Sequence, residues 1–120
     1  MAVLGIGVDM AKISRFEKWA KSDGILHRFF SHEEVEIFKN KNFSSQSIAG
    51  RFAAKEAFIK ATGFSGQLRN ISVVADNVGR PEIILRENAS SRFSELNDKK
   101  FFVSISHDGD YAVAFVVLTD

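Results

Sequence analysis

The stretch Arg51-Phe-Ala-Ala-Lys-Glu-Ala-Phe-Ile-Lys-Ala-Thr-Gly63 reads as the second half of a long helix that begins near Ser45 and stops at Gly63. In a chain of 120 residues, a helix of that length is an axis on which everything else must pack. Wound at about 100° per residue, it sets Glu56 among Ala49, Phe52, Ala53 and Ile59, with Lys60 one turn on. Arg51 and Phe58 point away from that face. A carboxylate among Ala and Phe is costly to bury unless a cation or a donor satisfies it. Two partners are open to Glu56: Lys60 at i+4, or a bound cation.

The segments on either side supply candidates. Residues 3–9 alternate as a short strand, Leu4, Ile6 and Val8 facing one way and Gly5, Gly7 and Asp9 the other. Two glycines on the Asp9 face let another element or a ligand approach the backbone. Met10 to Lys21 has the period of an amphipathic helix, with Ile13, Phe16 and Ala20 on one stripe and Lys12, Arg15, Lys18 and Lys21 elsewhere. Ser22-Asp-Gly24 breaks it, and Ile25–Phe30 suits one or two further turns. Ser31-His-Glu-Glu34 has the form of a capping box and starts a helix to about Lys39. After Gly63 the pattern predicts a loop, strands over Ile71–Asp76 and Pro81–Arg86, and a weak helix over Asn88–Leu96. A hairpin closes the chain, with strands Phe101–His107 and Tyr111–Leu118 turning at Asp108-Gly-Asp110. On its first strand Val103, Ile105 and His107 share one face and Ser104 and Ser106 the other. These elements predict an α+β fold: one small domain over residues 1–120, with a mainly antiparallel sheet packed on the long helix.

Composition narrows the function. No cysteine means no disulfide framework and no thiolate metal site, which points to a reducing, cytoplasmic setting. The apolar opening stops at Asp9 without a basic leader, unlike a signal peptide, and no apolar run approaches a membrane span. A net charge of +1 does not argue for nucleic acid. The distribution says more: residues 1–60 hold ten Lys/Arg against seven Asp/Glu, and 61–120 hold six against eight. The basic excess lies mostly in residues 12–21, either a solvated face or a landing surface for an acidic protein. Gly5-Ile-Gly7 lacks the third glycine of a dinucleotide fingerprint. What remains is Asp9, Glu56, Lys60 and the Ser104-x-Ser106-His107 turn. Two carboxylates without cysteine suit a hard cation such as Mg²⁺ on phosphate chemistry. The residues alone also admit another Mg-dependent enzyme acting on phosphate esters or pyrophosphates, or a non-catalytic module that binds an acidic protein.

Three motifs in order narrow this further. Gly5-Ile-Gly-Val-Asp9, then Ala49-Gly-Arg-Phe-Ala-Ala-Lys-Glu-Ala57 with Lys60-Ala-Thr-Gly63, then Val103-Ser-Ile-Ser-His107 with Tyr111-Ala-Val-Ala114 together resemble the short bacterial 4′-phosphopantetheinyl transferases, the holo-acyl-carrier-protein synthases. The resemblance implies transfer of the phosphopantetheine arm of coenzyme A to a serine of apo acyl carrier protein, with release of adenosine 3′,5′-bisphosphate. It implies Mg²⁺ held by Asp9 and Glu56, and a catalytic set of Asp9, Glu56 and Lys60. For coenzyme A it implies contacts from Arg51, Lys60, Gly63, Ser106 and His107. Arg15 would dock the carrier protein, and the active sites would lie between the subunits of a homotrimer, with Arg51 and Phe58 expected to face another subunit. The general base is unmarked: a metal-bound water, or a carboxylate acting through water, would serve. One departure stands out. Phe64-Ser65-Gly66 follows Gly63 where the family commonly has Thr-Gly.

Overall fold

The computed structural model describes residues 1–64, 66–86 and 92–120. Its elements are β1 (Val3–Lys12), α1 (Asp23–Phe29), α2 (His32–Asn40), α3 (Ser45–Thr62), β2 (Ile71–Ala75), β3 (Pro81–Leu85), α4 (Arg92–Leu96), β4 (Lys100–Asp108) and β5 (Tyr111–Thr119). Two antiparallel sheets, ordered β1-β5-β4 and β2-β3, give the α+β architecture expected. No helix among the described residues is long and apolar enough to cross a membrane.

Helix α3 begins and ends as its sequence dictates. The Ser44 hydroxyl accepts from the Ser47 N–H, and Gly63, at φ 70°, closes the last turn by donating to the Ile59 carbonyl at 2.8 Å. Its surroundings differ from the one-sided reading. From Ile48 onward every residue is buried except Glu56, Ile59 and Lys60. A helix covered on nearly all sides is a core element, and Glu56 lies on the one stripe that reaches water. Arg51 and Phe58 meet the same chain rather than another subunit. Phe58 stacks edge-on against Phe101 and Phe64, and Arg51 donates from Nε to the Val73 carbonyl at 3.0 Å.

On one side α3 receives the glycine face of β1. A Cβ built on Gly7 would fall 2.0 Å from the Ala57 carbonyl oxygen, and one on Gly5 would fall 1.9 Å from that of Ala61. Only glycine permits this backbone-on-backbone approach. Two strand residues advance about 6.6 Å and one helical turn about 5.4 Å, so the next inward residue, Asp9, comes level with the Ala53 turn.

On its other side α3 is tied by a buried ion pair that the hydrophobic pattern did not mark. Lys55 and Glu34 are both fully buried, 2.6 Å apart. Lys55 Nζ also donates to the carbonyls of Leu68 (3.0 Å) and Ile71. Glu34 accepts from the backbone N–H groups of Ser31 (2.9 Å) and Val73 (3.1 Å), so the capping-box glutamate is also the anchor of β2. Burial pushes the Glu34 carboxyl up and the Lys55 ammonium down, while their mutual attraction opposes both shifts.

The segment after Asp9 departs from its predicted helix. β1 continues to Lys12, pairing Met10 with Val113 and Lys12 with Tyr111, and residues 13–21 form two 3₁₀ turns, Ile13–Phe16 and Trp19–Lys21. Asp9 therefore sits inside a strand rather than at its end. Ser22 caps α1 instead of ending a helix. Of the weak helix predicted over Asn88–Leu96, residues 92–96 are helical, and the rest lies outside the described residues.

Candidate active site

The water-reaching stripe of α3 and the inward glycine face of β1 meet along one seam. There the Lys60 ammonium donates to the Val8 carbonyl at 2.9 Å and to Asp9 Oδ1 at 3.2 Å. Asp9 is about one-fifth exposed, while Lys60 is open to solvent. Lys60 thus pairs across the seam with Asp9, which excludes the i+4 pair with Glu56. Among the described residues the Glu56 carboxylate makes no hydrogen bond or ion pair, although it sits half-buried one turn before Lys60. An unpaired carboxylate one helical turn from a lysine that reaches a second carboxylate offers oxygen ligands and a place for anionic charge. No cluster of three or more His, Cys, Asp or Glu with metal-site spacing occurs among the described residues. A hard cation can be held by as few as two carboxylates when water and phosphate oxygens complete its shell.

A second group of the expected residues gathers about nine helical residues earlier, roughly 13 Å along α3. The register places Ala11, Ala112 and His107 in one inward-facing row of the sheet, beside the row of Asp9, Ala114 and Ile105. Asp9 and His107 therefore share a face, two strands across and one row along, about 12 Å apart. His107 Nε2 lies 3.2 Å from the Gln46 carbonyl, and Gly50 makes room for the ring: a Cβ there would come within 3.1 Å of Nε2. His107, Arg51, Gly50, Gln46, Ser47 and Lys41 line a cleft of about 340 Å³. Arg51 is fixed in its wall, with Nη1 donating to Ser47 Oγ at 3.0 Å and the guanidinium over Phe38. Ser47, Gln46 and Lys41 were not singled out from the sequence, where they look like an ordinary polar helix start and loop.

Two expected members stand apart. Ser106 lies in the outward-facing row with Val113 and Met10, on the opposite sheet face from His107, so one chain does not bring the two together. Gly63 is exposed at the end of α3, one turn beyond Lys60. Phe64 turns inward onto Phe58, with its N–H on Thr62 Oγ1 at 3.0 Å, so this departure from the family pattern fills the core. Ser65 lies outside the described residues. Arg15 projects from the first 3₁₀ turn over the rings of Phe16, Trp19 and Phe52, at 5.2, 5.9 and 5.1 Å. Cation–π contact with three packed rings holds this exposed guanidinium in place.

The profile of the 4′-phosphopantetheinyl transferase superfamily matches residues 5–116. The chain belongs to that superfamily. It is 42% identical to the holo-[acyl-carrier-protein] synthase of Geotalea daltonii, over 97% of this chain and 98% of that protein. It is 38% identical to that of Treponema denticola, with 97% and 98% covered. Among solved structures, the holo-[acyl-carrier-protein] synthase of Neisseria meningitidis superposes with a TM-score of 0.86 at 31% identity, covering 99% of this chain and 100% of that one. The Helicobacter pylori synthase in complex with coenzyme A gives 0.78 at 35% identity, with 95% and 99% covered. The superfamily match spans both groups of site residues, from Asp9 to His107.

Proposed function

We propose that this chain is a holo-acyl-carrier-protein synthase, moving the 4′-phosphopantetheine arm of coenzyme A to a serine of apo acyl carrier protein and releasing adenosine 3′,5′-bisphosphate. The observation that carries this reading is the stripe on α3: from Ile48 onward the helix is otherwise buried, and the polar residues it leaves to water are Glu56 and Lys60, the lysine set against Asp9. Asp9 and Glu56 would hold Mg²⁺, a fit supported by their all-oxygen donor set and by the unpaired Glu56 carboxylate. Bound there, the ion would supply positive charge beside the pyrophosphate as the phosphoanhydride breaks.

The chain's own groups do the rest. Lys60, anchored on the Val8 carbonyl, offers a second positive charge to the same pyrophosphate. The cleft of His107, Arg51 and Lys41 offers cationic and hydrogen-bonding groups to the nucleotide end of coenzyme A. Arg15, held on its aromatic cluster, meets an acidic carrier protein. Incubating the protein with coenzyme A, Mg²⁺ and an apo acyl carrier protein and then weighing the carrier tests the reading. A gain of one phosphopantetheine arm is expected, and no gain with several carriers would overturn it. Arg15→Glu is expected to raise the KM for carrier protein about tenfold while leaving that for coenzyme A nearly unchanged. Equal effects on the two substrates would count against the docking role.

The reading extends to a homotrimer with active sites between subunits. The outward sheet face carries Ile6, Val8 and Met10 on β1, at 59%, 52% and 62% exposure, and Phe102 on β4 at 51%. Such a patch calls for a protein cover, and Ser106 shares it. Ile6→Glu is expected to leave a monomer in sedimentation equilibrium and to lose transfer activity. A wild-type monomer with full activity would refute the assembly.

A further inference from the structure

The mechanism leaves the Lys55–Glu34 pair unused, yet no other charged groups in the described chain are buried so completely. We propose that Lys55 is a positioning residue for the Asp9/Glu56 site, which it serves by fixing helix α3 about its own axis. The inference rests on the reading of that site given above.

The argument starts from what holds Glu56. Its carboxylate has no partner among the described residues, so its position follows from α3 alone. Most of what covers α3 is apolar, and apolar contact is non-directional. The contacts that resist rotation lie on two sides. At the seam, the Ala57 and Ala61 carbonyls abut the backbone of Gly7 and Gly5. On the opposite side Lys55, the residue immediately before Glu56, spends its three N–H bonds on Glu34 Oε1, the Leu68 carbonyl and the Ile71 carbonyl. Those acceptors belong to the start of α2, the 3₁₀ turn Leu68–Asn70 and the start of β2. Ser31 Oγ and Ser72 Oγ, 2.7 Å apart, join two of these elements again. One lysine thus pins α3 to three other segments, one of them at the far end of the loop that follows Gly63.

Helix side chains reach roughly 5–6 Å from the axis, so a rotation of about 10° displaces a carboxylate there by about 1 Å. Metal and phosphate sites tolerate about half that, and a displacement of about 1 Å can cost on the order of 100-fold in rate. A lysine that only stabilised the fold would change the fraction folded without changing what each folded molecule does.

The test compares wild type with Glu34→Gln/Lys55→Met, which removes both buried charges and so leaves neither unpaired. Mn²⁺ binding is followed through the electron paramagnetic resonance signal of the free ion, and carrier modification by mass, both well below the melting midpoint. Expected per folded molecule are an Mn²⁺ Kd weakened about tenfold or more and a kcat lowered about 10- to 100-fold. The KM for carrier protein should change by less than the Mn²⁺ Kd, because two of the three rings under Arg15, those of Phe16 and Trp19, lie outside α3. Folded double variant with Mn²⁺ affinity and kcat both within about twofold of wild type overturns the inference. If the double variant shows no cooperative melt, the same titrations are read on Lys55→Arg, which keeps the charge but replaces a three-donor ammonium by a flat fork. Losses in the same direction support the proposal, and wild-type values overturn it. Wild-type protein that neither binds Mn²⁺ nor modifies any carrier overturns the site reading itself, an outcome separate from intact wild-type behaviour in the variants.

Discussion

Asp9→Asn and Glu56→Gln, each nearly isosteric with the residue it replaces, are each expected to lower carrier modification by about 10²- to 10³-fold, the scale seen when one charged or polar group at a developing charge is lost. The fold should be almost untouched. Glu56 has no partner to lose among the described residues, and its stripe of α3 already reaches water. Asp9 gives up its contact with Lys60, but Lys60 is more than half exposed, and such pairs contribute about 0–1 kcal/mol. Melting midpoints within a few degrees of wild type, with activity gone, would place both carboxylates in the chemistry. A chelator should mimic the variants in the wild type, and added Mg²⁺ should restore only the wild type. Either variant retaining more than about a tenth of wild-type turnover would remove that carboxylate from the metal set.

Much of this arrangement can be read from local sequence, because local rules decide it. Helix α3 runs from Ser45 to Thr62 as expected, since Ser44 caps its start and Gly63 adopts the left-handed turn that ends it. The Ser31–Glu34 box closes α2 by the predicted pair of bonds, and the terminal hairpin turns around Gly109 at φ 60°. What escaped the sequence depends on neighbours distant in the chain. Ile13, Phe16 and Ala20 do recur at a helical period, yet β5 recruits Met10 to Lys12 into a strand, and pairing outweighs local periodicity. The alternation of β1 was legible, and its glycines marked the face open to close approach; not legible was that α3 is the element that takes it, leaving the apolar Leu4, Ile6 and Val8 to face out. Lys55 carried no mark of its own in the sequence, since no pattern of apolar residues reports a buried charge whose partner lies 21 positions away. For the site, the sequence offered Asp9 and Glu56 as two carboxylates suited to a hard cation. It misread the setting of Glu56, which is the gap in an otherwise covered helix rather than the middle of its apolar side.

The tightest point of that seam makes the sharpest test of the fold. Gly7→Ala places a methyl carbon where the Ala57 carbonyl oxygen stands 2.0 Å away, with Ala61 N at 2.9 Å and Ala57 C at 3.0 Å. All three are backbone atoms in the middle of a covered helix, so no side chain can swing aside. The strand must lift from α3 by about 1 Å or more, and overpacking against rigid backbone costs about 3 kcal/mol, which for a domain of this size lowers the melting midpoint by about 10 °C or more. Asp9 lies two residues on, and Lys60 reaches both it and the Val8 carbonyl, so the lift falls on the site. Transfer per folded molecule should therefore drop about 10- to 100-fold even at temperatures where the variant is fully folded. Gly24→Ala supplies the contrast. Gly24 sits inside α1 with nothing within 4 Å of its would-be Cβ, and its substitution should stabilise by about 0.5–1 kcal/mol and leave transfer unchanged. Circular-dichroism melts and carrier mass read both variants side by side. If Gly7→Ala melts and transfers like wild type, β1 is free to stand off α3, and the seam cannot be what holds Asp9 against Lys60.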